Sequence, residues 1–226
     1  MRAASRSYRW LFATLAVLGL TLDLGTKYGM FRWLYHDGRP VENGAFRAYT
    51  NATGEHLVLG EYDLLPGWFK FTAEFDPAAT PTDCPIRKPL QTWSSPLMPH
   101  VNHGALFGFG KQHKGVSNGI FAGVCAFAAI AICLWVLRGA QARHDLLLCI
   151  ALGLITAGAV GNFYDRIVFG GVRDFLQFYW FEFPVFNVAD CGLVVGAGLL
   201  FVQAMLAPPE KKPEIAAEPV AVAVKS

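Results

Sequence analysis

The sequence predicts an all-α membrane protein: a bundle of four transmembrane helices carrying a small β-rich cap on its extracytoplasmic side. Three observations carry that prediction. Of the 226 residues, 54% are hydrophobic and only 16% charged, which is too apolar for a soluble domain of this size. Four apolar segments, Trp10–Met30, Val116–Leu137, Leu146–Asn162 and Val185–Leu206, approach the roughly 20 residues a helix needs to cross a bilayer. Between the first and second lies a long stretch, residues 31–115, where aromatic and strand-forming runs are broken by Gly and Pro.

Residues 1–30 hold the N-terminus and first span. Arg2, Arg6 and Arg9 precede the apolar run, as in a signal peptide. The run is long, lacks a small-x-small cleavage site at its end and contains Asp23 and Lys27, so it is expected to be retained. Those two residues are spaced i, i+4 on one helix face, where pairing lowers the cost of burying charge in lipid. Their expected role is to support the site and its neighbouring loops. Residues 31–115 are expected to form a cap on the membrane surface, with Leu57-Val58-Leu59 as a strand and Trp68, Phe69, Phe71, Phe75 and Trp93 as its aromatic content. Residues 116–206 supply three further spans with an outer loop, and the Pro-, Ala-, Glu- and Lys-rich tail 207–226 is expected to be disordered.

Orientation follows from the short flanks. Arg2, Arg6 and Arg9, then Arg138 and Arg143, then Lys211 and Lys212 fall on one side of an even number of spans, which the positive-inside rule makes cytoplasmic. Both termini are then inside, and segments 31–115 and 163–184 outside.

Several chemistries find no support. A net charge of +2 carries no nucleic-acid signal. Cys84, Cys125, Cys133, Cys149 and Cys191 show no paired spacing, so neither a disulfide nor a structural zinc site is predicted. His100, His103 and His113 lack a His-Glu-x-x-His arrangement, and no metal or cofactor is expected. Gly115-Val116-Ser117-Asn118-Gly119 fits the serine-hydrolase string but follows no strand. Asn43-Gly44-Ala45-Phe46 lacks the residue between Asn and Gly found in the later string at Asn102, and is set aside.

Two aspartates at the outer ends of apolar segments carry the chemistry. Asp174 lies in Gly171-Val172-Arg173-Asp174-Phe175 and Asp190 in Phe186-Asn187-Val188-Ala189-Asp190, sixteen positions apart. Carboxylates at a membrane border are costly to desolvate. Two of them sharing one proton can activate a water for attack on a peptide bond. The plainer alternative is that Asp174 is a loop acid and Asp190 a helix cap or half of an ion pair. Two further strings stand nearby. Asn102-His103-Gly104-Ala105-Leu106-Phe107-Gly108 suits a turn that brings backbone close to a ligand. Gly161-Asn162-Phe163-Tyr164-Asp165-Arg166 closes the third span with an amide that needs polar partners.

In order, Asp23 and Lys27, Asn102–Gly108, Gly161–Arg166, Val172–Phe175 and Phe186–Asp190 make the chain resemble the lipoprotein signal peptidase (signal peptidase II) family, aspartic proteases of bacterial membranes. The resemblance covers the first span and everything from about Val101 to Leu206. It implies Asp174 and Asp190 as the catalytic pair, with Asn102, Gly104, Gly108, Asn162, Asp165, Arg166, Val172, Asn187 and Ala189 shaping the site. It implies a substrate, a prolipoprotein already diacylglyceryl-modified on cysteine and cut on that cysteine's amino side. It also implies residence in the bacterial inner membrane with the site at the outer leaflet, among membrane lipids; a monomer is expected. Two departures stand out. The stretch from about Asp37 to His100 is longer than the outer connection usual in the family, and Cys191 stands where a small hydroxyl residue is common. Two other classes remain open at this point, a small proton- or ion-coupled transporter and a non-catalytic lipoprotein-binding protein.

Overall fold

The computed structural model describes residues 7–104, 114–139 and 145–206. In chain order its elements are α1 (Arg9–Tyr35), β1 (Gly44–Thr50), β2 (His56–Leu65), β3 (Phe69–Asp76), α2 (Arg87–Ser94), β4 (Met98–Pro99), α3 (Lys114–Arg138), α4 (Leu146–Val168), β5 (Leu176–Phe178) and α5 (Val188–Leu206). Four of them, α1, α3, α4 and α5, are long and apolar enough to cross a membrane.

Helix α4 is the central one. It packs against α1, α3 and α5, and most of its surface is buried where theirs is largely open. Small residues permit that closeness. A Cβ at Gly158 would lie 2.4 Å from the Ala189 carbonyl, and one at Gly161 only 2.3 Å from the Asp23 carboxylate. Close backbone approach through glycine is the usual route to helix packing in lipid, where no hydrophobic drive between helices operates.

Two polar contacts tie one end of the bundle. Arg9 donates to the Leu137 carbonyl at 2.7 Å. Asp145 caps α4 by accepting from the Leu148 N–H at 2.9 Å, and also accepts from Gln203 at 3.1 Å. The starts of α1 and α4 therefore meet the ends of α3 and α5, and the sheet sits at the opposite end.

That sheet has five strands, ordered β1-β2-β3-β4 and antiparallel, with β5 pairing to the other half of the β3 edge. Alternation along the strands separates two faces. Phe46, Tyr62, Phe71, Ala73 and Phe75 pack with Phe31, Leu34 and Tyr35 from the last turns of α1. The contact is close enough that a Cβ at Gly60 would lie 2.5 Å from the Leu34 carbonyl. The other face carries Arg47, Tyr49, Glu61, Lys70, Thr72 and Glu74 along a cavity of about 1110 Å³.

Three boundaries differ from the sequence reading by more than two residues, each for a reason of packing. Helix α1 runs past Met30 to Tyr35 because the sheet, not lipid, covers Phe31 and Leu34. Helix α4 runs past Asn162 to Val168, whose carbonyl is met by the Gln91 side chain at 2.6 Å. Helix α5 starts at Val188 rather than Val185, because Phe186 is still bonded to Leu176 of β5 in both directions. The short α2, unforeseen because it is polar, buries Gln91 and Ser94. The expected disordered tail, Arg2, Arg6, Gly108, His113, Arg143, Lys211 and Lys212 lie outside the described residues.

Candidate active site

The segment after α4 is set by a two-way backbone pairing: the N–H of Asn102 donates to the Val172 carbonyl and the N–H of Val172 to the Asn102 carbonyl, each at 2.8 Å. Val172 contributes this pairing and a buried side chain that also lines the cavity. Asp174, two residues on, then accepts from the Asn102 amide at 3.0 Å. Asn102 in turn accepts from the Gly104 N–H at 2.8 Å. Gly104 is required there on two counts: its φ is +83°, and a Cβ would lie 2.6 Å from the Phe121 ring.

Asp190 is the third residue of α5, and Asn187 is its N-cap. The Asn187 side chain accepts from the Asp190 N–H at 3.1 Å, and the Asp190 carboxylate accepts from the Asn187 N–H at 3.1 Å. This reciprocal pair is a capping box. Asp190 therefore caps the helix and faces the site at once, so the plain and the chemical readings are compatible. Asn187 also donates to Asp174 at 2.6 Å, and Asn162 donates to the other Asp190 oxygen at 2.8 Å. One residue, Asn187, thus donates to both carboxyls, to Asp174 through its side chain and to Asp190 through its backbone N–H.

Beneath this pair lies a buried ionic network. Lys27 is fully buried and reaches Asp23 at 2.9 Å, Asn162 at 3.1 Å and Asp165 at 3.6 Å. Asp23 accepts from the Ala189 N–H at 2.9 Å, satisfying a free donor at the start of α5. Asp165 accepts from both the backbone N–H and the guanidinium of Arg173, at 2.9 and 2.8 Å. Arg173 also donates to Ser94 at 3.0 Å, and its guanidinium stacks 3.9 Å from the Phe169 ring centre and 4.2 Å from that of Tyr28. Two negative charges, Asp23 and Asp165, face two positive ones, Lys27 and Arg173, so this layer is internally balanced. The charge of Lys27 also pulls weakly on the Asp174 carboxyl above.

The electrostatics of Asp174 follow. Burial, and then the negative charge of nearby Asp190, push its carboxyl up to about 7 against the pull of the Asn102 and Asn187 amides. On the cavity wall, burial would raise Glu74, but hydrogen bonds from His100 and Tyr49 outweigh it and hold Glu74 below the usual carboxylate range. Tyr49 donates to Glu74 at 2.6 Å, and His100 Nδ1 lies 2.9 Å from its other oxygen. Glu61 is paired with Arg47 and Lys70 on the same face. The cavity is therefore walled by fixed, paired charges and reaches Asn102 and Asp174.

Asp23, Lys27, Asn102, Gly104, Asn162, Asp165, Val172, Asp174, Asn187, Ala189 and Asp190 are all gathered by these contacts. Arg166 is placed differently. Its guanidinium lies 5.3 Å from the Phe121 ring centre, its Nε and one terminal nitrogen are buried without a hydrogen-bond partner among the described residues, and its charge acts on Asp174 and Asp190 without a direct bond to either. Arg173 was missed by the sequence reading, although its position beside Asp174, eight residues after Asp165, was a usable signal.

The family model for signal peptidase (SPase) II matches residues 85–206. The chain belongs to the signal peptidase II family. Among curated relatives, a lipoprotein signal peptidase of Symbiobacterium thermophilum is 49% identical over 107 residues, 46% of this chain and 66% of that protein. One of Yersinia pestis (strain Pestoides F) is 39% identical over 127 residues, covering 52% and 73% respectively. Two solved structures of bacterial membrane enzymes share the fold at 21% identity. One, with a TM-score of 0.59, covers 94% of this chain and 98% of its own. The other, at 0.57, covers 91% and 100%. As a signal peptidase II the chain is a protease and an integral membrane protein. Ser117 of this peptidase lies within α3 rather than on a strand-to-helix turn. Ser117→Ala is expected to leave cleavage unchanged, and a large loss in a folded variant would revive serine chemistry.

Proposed function

We propose that this signal peptidase II is an aspartic endopeptidase acting on diacylglyceryl-modified prolipoproteins, cutting on the amino side of the lipidated cysteine, with Asp174 and Asp190 as the catalytic pair. The supporting observation is Asn187, which donates to Asp174 through its side chain and to Asp190 through its backbone N–H and so holds the two carboxyls at one residue. Two carboxyls held at one residue, one of them pushed up to about 7 by burial and by its neighbour, are best accommodated when they share one proton.

The chemistry then runs without a covalent intermediate. The ionised carboxyl takes a proton from a water held between the two. The protonated one donates to the scissile carbonyl and stabilises the negative charge that develops there. Burial and the neighbouring charge favour the proton on Asp174. Because the pair titrates together, the reaction depends on the proton count of the pair. Asn102, Asn162 and Asn187 fix the carboxyls in place, while Asp23, Lys27 and Asp165 fix the amides and the start of α5. Arg166, Gly104, Val172 and Ala189 complete the surroundings.

We place the four helices across the bacterial inner membrane as a bundle, both termini cytoplasmic, with the sheet as an extracytoplasmic cap and the protein acting as a monomer. The shared end of α1 and α3, marked by the Arg9–Leu137 contact, supports the even topology. Segment 37–100 then supplies the charged wall of the cavity and tunes substrate access without supplying catalytic groups.

The direct test is whether the purified chain in detergent shortens a diacylated prolipoprotein by its signal peptide and leaves the unlipidated form intact. A pH profile adds a sharper check. A carboxyl raised to about 7 stays neutral below that pH and ionises above it. The alkaline limb of kcat/KM is therefore expected near pH 7, with about a tenfold fall per further pH unit. A profile flat to pH 9 would remove the shared proton from the mechanism.

A further inference from the structure

The tip of the β2–β3 hairpin and the loop after β5 form one exposed aromatic surface. Leu65 and Trp68 at the hairpin tip are 58% and 60% exposed, and Trp180 in the loop is 57% exposed. The two loops are held together: Tyr179 N–H donates to the Trp68 carbonyl at 3.2 Å, its hydroxyl accepts from the Gly67 N–H, and Trp68 lies 5.3 Å from Trp180. Phe181 packs 4.3 Å from Trp180, and Phe183 lies 5.7 Å from Phe186. Glu182 is the sole acid or base in residues 64–68 and 178–184. A contiguous apolar patch of this kind marks a contact surface, since soluble faces rarely carry one.

Its position says what the contact is. Phe186 stands two residues before α5, whose Val194 and Val195 face outward. Trp33, in the last turns of α1, lies 5.1 Å from Tyr62 and 6.4 Å from Phe71. Phe71 continues through Phe69 to Phe178. The patch is thus an unbroken extension of two spans, at the level where both emerge. Trp and Phe at that level are the chemistry of the membrane interface.

We infer that these two loops enter the headgroup region of the bilayer together as a wedge, with phospholipid as the partner. This rests on the outer placement of the sheet proposed above and deepens it. The wedge is also the covalent connection between Asp174, just before β5, and Asp190, in the first turn of α5. Its seating therefore sets the depth at which the pair meets a lipidated cysteine.

The test uses the full chain in nanodiscs of phosphatidylethanolamine and phosphatidylglycerol, with p-benzoyl-phenylalanine at position 65, 181 or 52. Ala52, at the far β1–β2 turn, is the control. After irradiation, phospholipid adducts read by mass spectrometry are expected at 65 and 181 well above those at 52. Adduct levels equal to position 52, or cross-linking to a second copy instead, would overturn the wedge. A kinetic arm uses Leu65→Glu, which is expected to raise KM for the diacylated substrate several-fold in nanodiscs at near-constant kcat, with little effect in detergent. Unchanged KM in nanodiscs counts against the wedge. Cross-linking needs no catalysis, so its failure leaves the peptidase reading to be judged separately by the aspartate variants.

Discussion

Asp174→Asn and Asp190→Asn are each expected to abolish cleavage of a diacylated prolipoprotein, by roughly 10²–10⁴-fold or more, the range of general acid–base catalysis. An amide keeps the shape of the carboxyl and can still accept from Asn102, Asn162 or Asn187. It cannot take a proton from water, and it cannot hand one to the scissile carbonyl as a carboxylic acid does. The two effects should not add, because either change removes the whole proton relay. The check is single-turnover cleavage with saturating substrate, beside a melting curve showing that each variant is folded. Wild-type cleavage by either folded variant would remove that residue from the pair.

The second large effect is on stability. Arg173→Met removes a fully buried guanidinium that neutralises Asp165, binds Ser94 and stacks on Phe169 and Tyr28. Stripping one partner from a buried ion pair typically costs about 3–5 kcal/mol, because the other charge is left unpaired. For a chain of this size that corresponds to a fall in apparent Tm of roughly 6–20 °C. Adding Asp165→Leu removes the stranded charge, so the double variant is expected to recover part of the loss. A single variant as stable as the parent, or a double variant less stable than the single one, would show that the pair does not carry this load.

How much of this was legible in the sequence depended on which environment each residue answers to. Asp23, Lys27 and Asn162 stood out because polar groups in apolar runs are costly, and the structure joins all three through Lys27. The spans were legible for the same reason. Their ends were less so, since hydropathy does not distinguish a side chain covered by lipid from one covered by the sheet, as Phe31 and Leu34 are. The strand-forming run Leu57-Val58-Leu59, in a segment broken by Gly and Pro, announced a strand. The pairing of β5 with β3 joins residues more than a hundred positions apart, and nothing local encodes it. Arg173 escaped for a related reason: a lone arginine in a loop reads as solvated until Asp165, Ser94 and two rings are folded around it. Asp190 shows the reverse case, where a capping position and a chemical position coincide and the sequence pattern cannot separate them.

That coincidence bears on biogenesis. The first turn of α5 is closed by bonds between Asn187 and Asp190 and by the Asp23 carboxylate of α1. The Asn187–Asp190 bonds can close this turn locally, but the Ala189 N–H finds its acceptor only when the last span docks against the first. A chain with α5 undocked therefore keeps one buried backbone donor and the Asp23 carboxylate without each other, which favours completing the last span's docking over leaving it half-assembled.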